Sequence, residues 1–474
     1  MFSKTRIIAT VGPATTKSFS NWAEFNDLKN QNEAQQVNSH IKNLILNGVN
    51  IFRMNLSHGE QEIHIFRSQL IKEIAHDLKI KVEILFDTKG PEIRVCQMSE
   101  DNFIAKDSEV IIHCQKQIIG KRNEFSVIDA SKKYNMINDV KANDRILVDD
   151  GKLILVVKKI DSSKNIIYTI AKNNHVLKTN KRLNLPDSNY SLPFLSKKDI
   201  DDINLAANLK IPYLALSFVS NVKQINEVKA LLKDQSFTPK LIAKIETQEA
   251  IDNLEEIIKN TNGVMVARGD LGLEVPFYKI PIYQNKIVEL CHKYNKYCII
   301  ATQMLDSLER NLLPTRAEVT DVYYAVNQKV NATMLSGETA AGIDPINAVS
   351  VMQSIILETE NNDIKQEIEF ASVKLLIPNE IKSKILDFHN LKTNLHKLLV
   401  VNLVDKNYEQ TIYDLLKCNF NFSILFVVNE DRNHDLLLKN TNFIVSQNKI
   451  SNQKELLEFL DFDFKKYELL FVFI

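Results

Sequence analysis

The 474-residue chain lacks an excess of either charge: Lys and Arg together number 59, as do Asp and Glu, so the formal net charge at pH 7 is zero. Nucleic-acid binders usually carry a basic excess. The balance therefore argues against such a partner, while leaving room for local basic pockets that hold small anions. No apolar run is long enough to span a bilayer. The opening, MFSKTRIIATVG, has neither the apolar core of a secretory signal nor the Arg- and Ser-rich character of a transit segment. These absences predict no membrane partner and a cytoplasmic location. The five cysteines (Cys96, Cys114, Cys291, Cys298 and Cys418) contain no C-x-x-C pair. That spacing argues against a zinc site and suits a reducing compartment with the thiols as small buried apolar groups. No glycine follows Gly342, so the C-terminal part contains no glycine-rich phosphate cradle. Low-complexity tracts are absent as well.

What is present is one pattern repeated. Short β-branched runs end in polar or charged residues and lead into helical patterns: RIIATVGP (6–13), GVNIFRMNLSHG (48–59), KVEILFDTKGPEIR (81–94), PYLALSFVS (212–220), KLIAKIET (240–247), GVMVARGD (263–270), YCIIATQM (297–304) and ATMLSGET (332–339). Each run is apolar at nearly every position, as a strand covered on both faces should be. Residues 60–78 place Ile63, Phe66, Leu70, Ile71 and Ile74 on one helical stripe. Residues 195–209 open with Ser196 and Asp199 at capping-box spacing. Strands alternating with helices mean parallel βαβ units. Eight of them predict an α/β fold built on a closed (β/α)8 TIM barrel, with an open doubly wound sheet as the alternative.

About a hundred residues separate the third strand, near Arg94, from the next barrel helix, near Leu195, far more than an ordinary βα loop. This segment alternates short β patterns with turns such as Asp150-Gly151. It predicts an inserted β-rich lid domain over the catalytic end. After about Glu358 a charged helical stretch (360–370) precedes strand-like runs at 398–404, 423–430, 442–447 and 468–474, predicting a C-terminal α/β domain. The expected organisation is a barrel over 1–93 and 189–357, a lid over 94–188, and a third domain over 358–474.

In such a barrel the active site lies at the carboxyl ends of the strands. Those ends carry Arg53, Asn55, Ser57, His58, Asp87, Lys244, Glu246, Arg268, Asp270, Thr302, Gln303 and Glu338. Glu246 and Asp270, with water and a substrate oxygen, suit Mg²⁺, which takes oxygen ligands and keeps waters. Lys244 and Glu246 are two apart in a strand and so face one site. A cation beside a metal-binding carboxylate is expected where a phosphoryl group or an enolate is stabilised. Asn55, Ser57, Asp87 and Thr88 form an oxygen-rich group with one charge, suited to a monovalent cation or to ordinary strand-end hydrogen bonding. Arg53 and Arg94 can contact phosphate bidentately. His58 is either a nucleotide contact or a solvent-exposed helix start. Gly269 and Asp270 begin a turn whose N–H groups can hold an anion. Thr302 offers a hydroxyl for a substrate carboxylate or a proton transfer, or serves only as a strand-end cap. Together these parts predict phosphoryl transfer to or from a small anion.

The segments KTRIIATVGPAT (4–15), FRMNLSHG (52–59), FDTKGPEIR (86–94), VDDGKL (148–153), LNLP (183–186), AKIET (243–247), VMVARGDLGLE (264–274), ATQMLDSL (301–308), PTRAEVTDV (314–322) and MLSGETAAG (334–342) occur in an order that resembles pyruvate kinase over most of the chain. The resemblance implies transfer of the phosphoryl group of phosphoenolpyruvate to ADP, giving ATP and pyruvate, the last step of glycolysis. By position it implies Mg²⁺ on Glu246 and Asp270, and K⁺ on Asn55, Ser57, Asp87 and Thr88. It also implies substrate on Arg53, Lys244, Gly269, Asp270 and Thr302, with Lys244 stabilising the charge that develops, and Arg53 and Thr302 completing the catalytic group. Asn55, His58, Arg94 and Lys181 would serve the nucleotide, Lys181 reaching down from the lid. An acidic residue at Glu92 implies K⁺ dependence, and the family is typically homotetrameric. A catalytically degenerate regulatory or scaffolding homologue is the competing expectation; it predicts losses at Lys244, Glu246 or Asp270, all of which are present.

Three features depart from the family pattern. Residues 17–35 are longer and more polar than the usual first connection and predict a surface excursion. Arg182 stands beside Lys181 where the family usually has glycine. The C-terminal domain is short and lacks the Ser/Thr- and Gly-rich loop that holds a sugar phosphate, which predicts no activation by fructose 1,6-bisphosphate.

Overall fold

The structure is a computed structural model that describes residues 3–129, 134–188 and 191–374, together with 384, 385, 387, 396–403, 423–428, 443–445 and 467–473. The chain divides into two compact units, Met1–Leu357 and Glu358–Ile474.

In the first unit, β1 (Arg6–Thr10), β2 (Val49–Asn55), β3 (Glu83–Asp87), β4 (Tyr213–Leu216), β5 (Lys240–Ile245), β6 (Gly263–Ala267), β7 (Tyr297–Ala301) and β8 (Ala332–Leu335) close into one barrel. Every neighbouring pair is parallel, including the closure of β1 on β8. The open doubly wound alternative is thereby excluded. Two apolar layers use alternate residues of the same strands. Ile8, Ile51, Leu85, Ala215, Ile242, Met265, Ile299 and Met334 fill the inside of the barrel. Their neighbours Ile7, Phe52, Ile84, Phe86, Leu214, Leu216, Ala243 and Val264 pack outward under the helices. Continuous apolar strands are the result of that double demand.

The helices follow local signals. Gln61–Asp77 buries Phe66, Leu70 and Ile71 as the stripe predicted, and adds His64; Ile63 and Ile74 are only half-buried. Ser196 caps Lys197–Asn208 through a capping box with Asp199. The polar 17–35 segment is more than a surface excursion. It forms the helix Trp22–Asn26 and leads into Gln31–Leu46, and it is anchored by buried Phe19 and Phe25. Trp22 packs edge-on to Phe66 at 5.1 Å between ring centroids and donates to Gln69 at 2.9 Å. Three aromatics among polar residues hold the connection to the barrel.

The insertion is a second closed barrel of seven strands. Its strands are Ile93–Val95, Glu109–His113, Glu124–Asp129, Arg145–Val148, Leu153–Asp161, Ile166–Ala171 and Arg182–Asn184, around a core of its own that includes Ile112, Phe125, Ile146, Leu155 and Ile167. All pairings are antiparallel except Glu109–His113 with Glu124–Asp129. Cys114, Cys291 and Cys298 are buried and free, Cys96 is half-buried, and Cys418 lies outside the described residues. No described helix is long and apolar enough to cross a membrane.

In the second unit β9 (His396–Leu403), β10 (Ser423–Val428), β11 (Phe443–Val445) and β12 (Tyr467–Phe473) form a parallel sheet in the order β11-β10-β9-β12. The charged 360–370 stretch belongs to the helix Pro345–Lys374. The connections of the sheet, on which the expectation about a sugar-phosphate effector bears, lie outside the described residues.

Candidate active site

Strand periodicity carries the inner layer of the barrel directly into the site. Inward-facing Ile51 is followed two residues on by Arg53 and then Asn55, Leu85 by Asp87, Ala215 by Ser217, and Ile242 by Lys244 and Glu246. The polar residues begin where the apolar filling ends, at the carboxyl ends of the strands.

They form one buried charge cluster. Lys244 Nζ lies 2.8 Å from Ser217 Oγ, 3.0 Å from Glu246 Oε1 and 3.2 Å from Asp87 Oδ1. Arg53 Nε donates to Asp87 Oδ2 at 2.7 Å, and Arg53 Nη1 to Thr10 Oγ1 at 3.0 Å. Burial disfavours the Asp87 carboxylate, but Lys244 and Arg53 outweigh it and hold its pKa below the ordinary value. Burial likewise opposes the Lys244 ammonium, while Asp87 and Glu246 raise its pKa above that of a free lysine. Lys244 is thus a fixed cation.

Glu246 is fully buried. Its Oε2 accepts from the Phe218 N–H at 2.6 Å, whereas its Oε1, although close to Lys244, accepts no well-directed hydrogen bond. Burial and the neighbouring Asp270 raise the Glu246 pKa against the pull of Lys244. Two carboxylates crowded together, one with an unsatisfied buried oxygen, form a site that gains by receiving a hard cation. Two protein carboxylates would leave the other positions around a hard cation such as Mg²⁺, which takes oxygen ligands and keeps waters, to water and substrate.

The cluster opens onto a cavity of about 480 Å³ lined from the barrel by Arg53, Asn55, Ser57, His58, Lys244, Glu246 and Asp270, and from the insertion by Asp149, Asp150 and Thr179–Arg182. His58 stands exposed at the rim. Arg94 is held by Glu92, with Nε 2.9 Å and Nη2 2.7 Å from Oε2, and Nη1 donates to the Asn180 carbonyl at 2.8 Å. Lys181 Nζ pairs with Asp149 Oδ1 at 2.7 Å. Asn55 Oδ1 accepts from the Ser57 N–H at 3.2 Å, and Thr88 Oγ1 from the Ser217 N–H at 3.1 Å. Asn55 and Asp87 are direct register partners, but both Asp87 oxygens already face cations.

Gly269 and Thr302 are brought together but do not line the cavity. The Gly269 N–H donates to Thr302 Oγ1 at 2.7 Å. Thr302 and Gln303 have φ of 68° and 54°, an unfavourable conformation for a β-branched residue. Arg268 braces this bend by donating to the Thr302 carbonyl at 2.8 Å while pairing with Asp321 at 2.6 Å. The sequence places a turn at Gly269-Asp270; instead the helix Arg268–Glu274 begins at once, and its first turn carries both residues. The N–H of Gly269 is therefore engaged by protein. Glu338 accepts from the N–H groups of Leu305 and Ser336, and so braces the fold.

Sequence reasoning passed over Ser217 and Phe218. Their signal was available: Ser217 continues the inward register of Ala215, as Asp87 continues that of Leu85. Gly90, at φ 70°, lets the β3 loop pass Ser217; a Cβ there would fall 2.7 Å from the Ser217 Cβ. Arg182 was marked in the sequence by standing where the family usually has glycine, but nothing there pointed to Asp270, with which it pairs.

Residues 2–349 match the family model described as pyruvate kinase, barrel domain. The pyruvate kinase of Mycoplasma pneumoniae is 48% identical over 359 residues, covering 75% of this chain and 71% of that protein. That of Mycoplasma genitalium is 45% identical over 399 residues, covering 84% and 78%. A crystal structure of a pyruvate kinase from Cryptosporidium parvum aligns with a TM-score of 0.70 at 28% identity, covering 90% of this chain and 83% of that one. With the barrel, the inserted domain and the charged strand ends in the same chain, these likenesses establish that it belongs to the pyruvate kinase family of enzymes.

Proposed function

We propose that the protein transfers the phosphoryl group of phosphoenolpyruvate to ADP, giving ATP and pyruvate in the last step of glycolysis, in the cytoplasm. The observation that carries this reading is the Lys244 ammonium, fixed among Asp87, Ser217 and Glu246 beneath a cavity with basic residues on both walls. In the reaction an ADP β-phosphate oxygen bonds to phosphorus as the bond to the enol oxygen breaks, and the enolate left behind takes a proton on carbon. Lys244 faces the oxygens on which negative charge accumulates, and being preorganised and buried it needs no reorganisation to do so. Arg53, oriented by Asp87 and Thr10, holds the phosphoryl oxygens of the substrate; Thr302 and Gly269, which engage each other behind the cavity wall, would meet the substrate end only once that mutual hydrogen bond opens. Lys181, Arg94, His58 and Asn55 receive the nucleotide. Glu246 and Asp270 would hold Mg²⁺, and Asn55, Ser57, Asp87 and Thr88 would hold K⁺, with Asp87 sharing its oxygens between that ion and the Arg53 and Lys244 cations. When bound, these ions neutralise phosphoryl and enolate charge that the side chains alone do not cover.

A homotetramer is proposed with it. Phe277, Tyr278 and Ile282 on one helical segment, and Val319, Tyr323 and Tyr324 on the adjoining helix, expose large apolar surface. Such a patch supports burial against another copy.

A coupled pyruvate-formation assay with Mg²⁺, run with and without K⁺, tests the function. Product that depends on Mg²⁺ and rises on adding K⁺ is expected; no product under either condition rejects the reading.

A further inference from the structure

Arg182 lies in the lid strand Arg182–Asn184, in register with Arg94, and its guanidinium lies at the cavity against the barrel. Nη2 donates to Asp270 Oδ1, and the pair is largely buried, with side-chain exposures of 15% and 25%. Its other direct contacts are neutral, Nε reaching Asn184 Oδ1 at 3.3 Å and the group stacking over the Phe218 ring at 5.3 Å from its centroid, while Glu246 and Glu92 attract it from further off. Asp270 is thus its direct anionic partner, and Asp270 is one of the two carboxylates assigned above to the divalent ion. Asn184 in turn donates to Glu274 at 2.7 Å, so two alternate positions of this lid strand, on the face opposite the lid-core residue Leu183, grip the helix Arg268–Glu274.

We infer that Arg182 is a built-in competitor for the divalent cation at Asp270, pinning the lid strand to the barrel until the ion takes the carboxylate. The inference rests on the reading of Glu246 and Asp270 as the metal site. A guanidinium and a divalent ion on one carboxylate repel strongly where water is scarce, so the ion gains full use of Asp270 only as Arg182 gives way. Glu92 and Phe218 line the same cavity and offer the displaced guanidinium an anionic and an aromatic neighbour. The coupling is reciprocal: what Arg182 contributes to holding the lid, it subtracts from metal affinity. A residue that merely braced the site would have the opposite sign, because its loss would loosen Asp270 and weaken the metal.

The test is titration of the full chain with Mn²⁺ alone, with no substrate or nucleotide, following free Mn²⁺ by electron paramagnetic resonance. Wild type, Arg182→Gln, Arg182→Lys and Asp270→Asn are compared, with circular dichroism confirming the fold of each. Removing one competing charge-assisted hydrogen bond predicts Mn²⁺ binding about tenfold tighter in Arg182→Gln, with Arg182→Lys staying close to wild type because it keeps the charge. Equal or weaker binding in Arg182→Gln, while Asp270→Asn abolishes binding, overturns the competition and leaves the metal site standing. Binding indifferent to Asp270→Asn overturns the metal site and the competition with it. Should Arg182→Gln fail to fold, Arg182→Ala together with hydrogen exchange of residues 182–184 decides the matter: exchange in wild type unchanged by saturating Mn²⁺ rejects the displacement.

Discussion

Lys244 Nζ and Glu246 Oε1 lie 3.0 Å apart, projected two residues apart from one strand end into a pocket where Glu246 has no exposed surface. A buried ammonium held between this carboxylate and Asp87 cannot be removed without consequence for both. Lys244→Met is expected to lower turnover by about 10²- to 10³-fold, as loss of a preorganised donor does. It should also lower stability by about 3 kcal/mol, because two buried carboxylates lose their shared cation. Steady-state kinetics with a thermal melt checks both; turnover within a factor of a few of wild type would remove Lys244 from the mechanism.

Ser217 accepts from Lys244 at 2.8 Å and donates to the Thr88 carbonyl at 2.7 Å, joining the charge cluster to the proposed potassium group. Ser217→Ala should cost about 1 kcal/mol of stability, the usual worth of such a hydrogen bond. Turnover should fall several-fold more than that of a variant equally destabilised elsewhere. Unaltered kcat would show that the hydroxyl only fills space.

A Cβ at Gly269 would sit 3.3 Å from Thr302 Oγ1, the atom that accepts the Gly269 N–H. Alanine is favoured over glycine in a helix by up to about 1 kcal/mol, so Gly269→Ala should melt near the wild-type temperature. Its kcat/KM should nevertheless fall, since Thr302 must shift from a bend it already holds under strain. A variant as active as wild type would show that Thr302 has room to move.

His64 is buried, donates through Nε2 to the His58 carbonyl at 2.8 Å, and has a buried Nδ1 with no hydrogen-bond partner. Burial outweighs the hydrogen bond and lowers its pKa to about 4. Between about 6.5 and 4 the unfolded chain therefore binds a proton that the folded chain refuses, so stability falls as the pH drops through that window. The loss amounts to at most about 3 kcal/mol. Melting temperatures measured from pH 7 to pH 4 should decline in wild type and decline less in His64→Phe. Parallel profiles would place the acid sensitivity in other groups.

The sequence was most legible where a local rule and the tertiary demand coincide. Eight two-sided apolar strands could be read because a barrel buries both faces of each. Lys244 and Glu246 could be paired because side chains two apart on a strand share a face. Ser196 and Asp199 announced a helix start because a capping box needs no distant partner. The 17–35 segment was harder to read, since its polar residues outnumber the three aromatics that tie it down. Its dependence on Phe66 involves a residue far along the chain.

By itself, then, the sequence determined the order of strands and helices, the ends that carry charge, and the family. Only the tertiary structure decided how charges from different strands are shared: that Asp87 serves both Arg53 and Lys244, that Thr302 holds the N–H of Gly269, and that Arg182, 88 positions away along the chain, reaches Asp270. Spacing along a chain specifies which residues share a face. Which charge meets which is set by barrel closure and by the placing of a lid strand, through buried contacts that leave no periodic trace in the residues that make them.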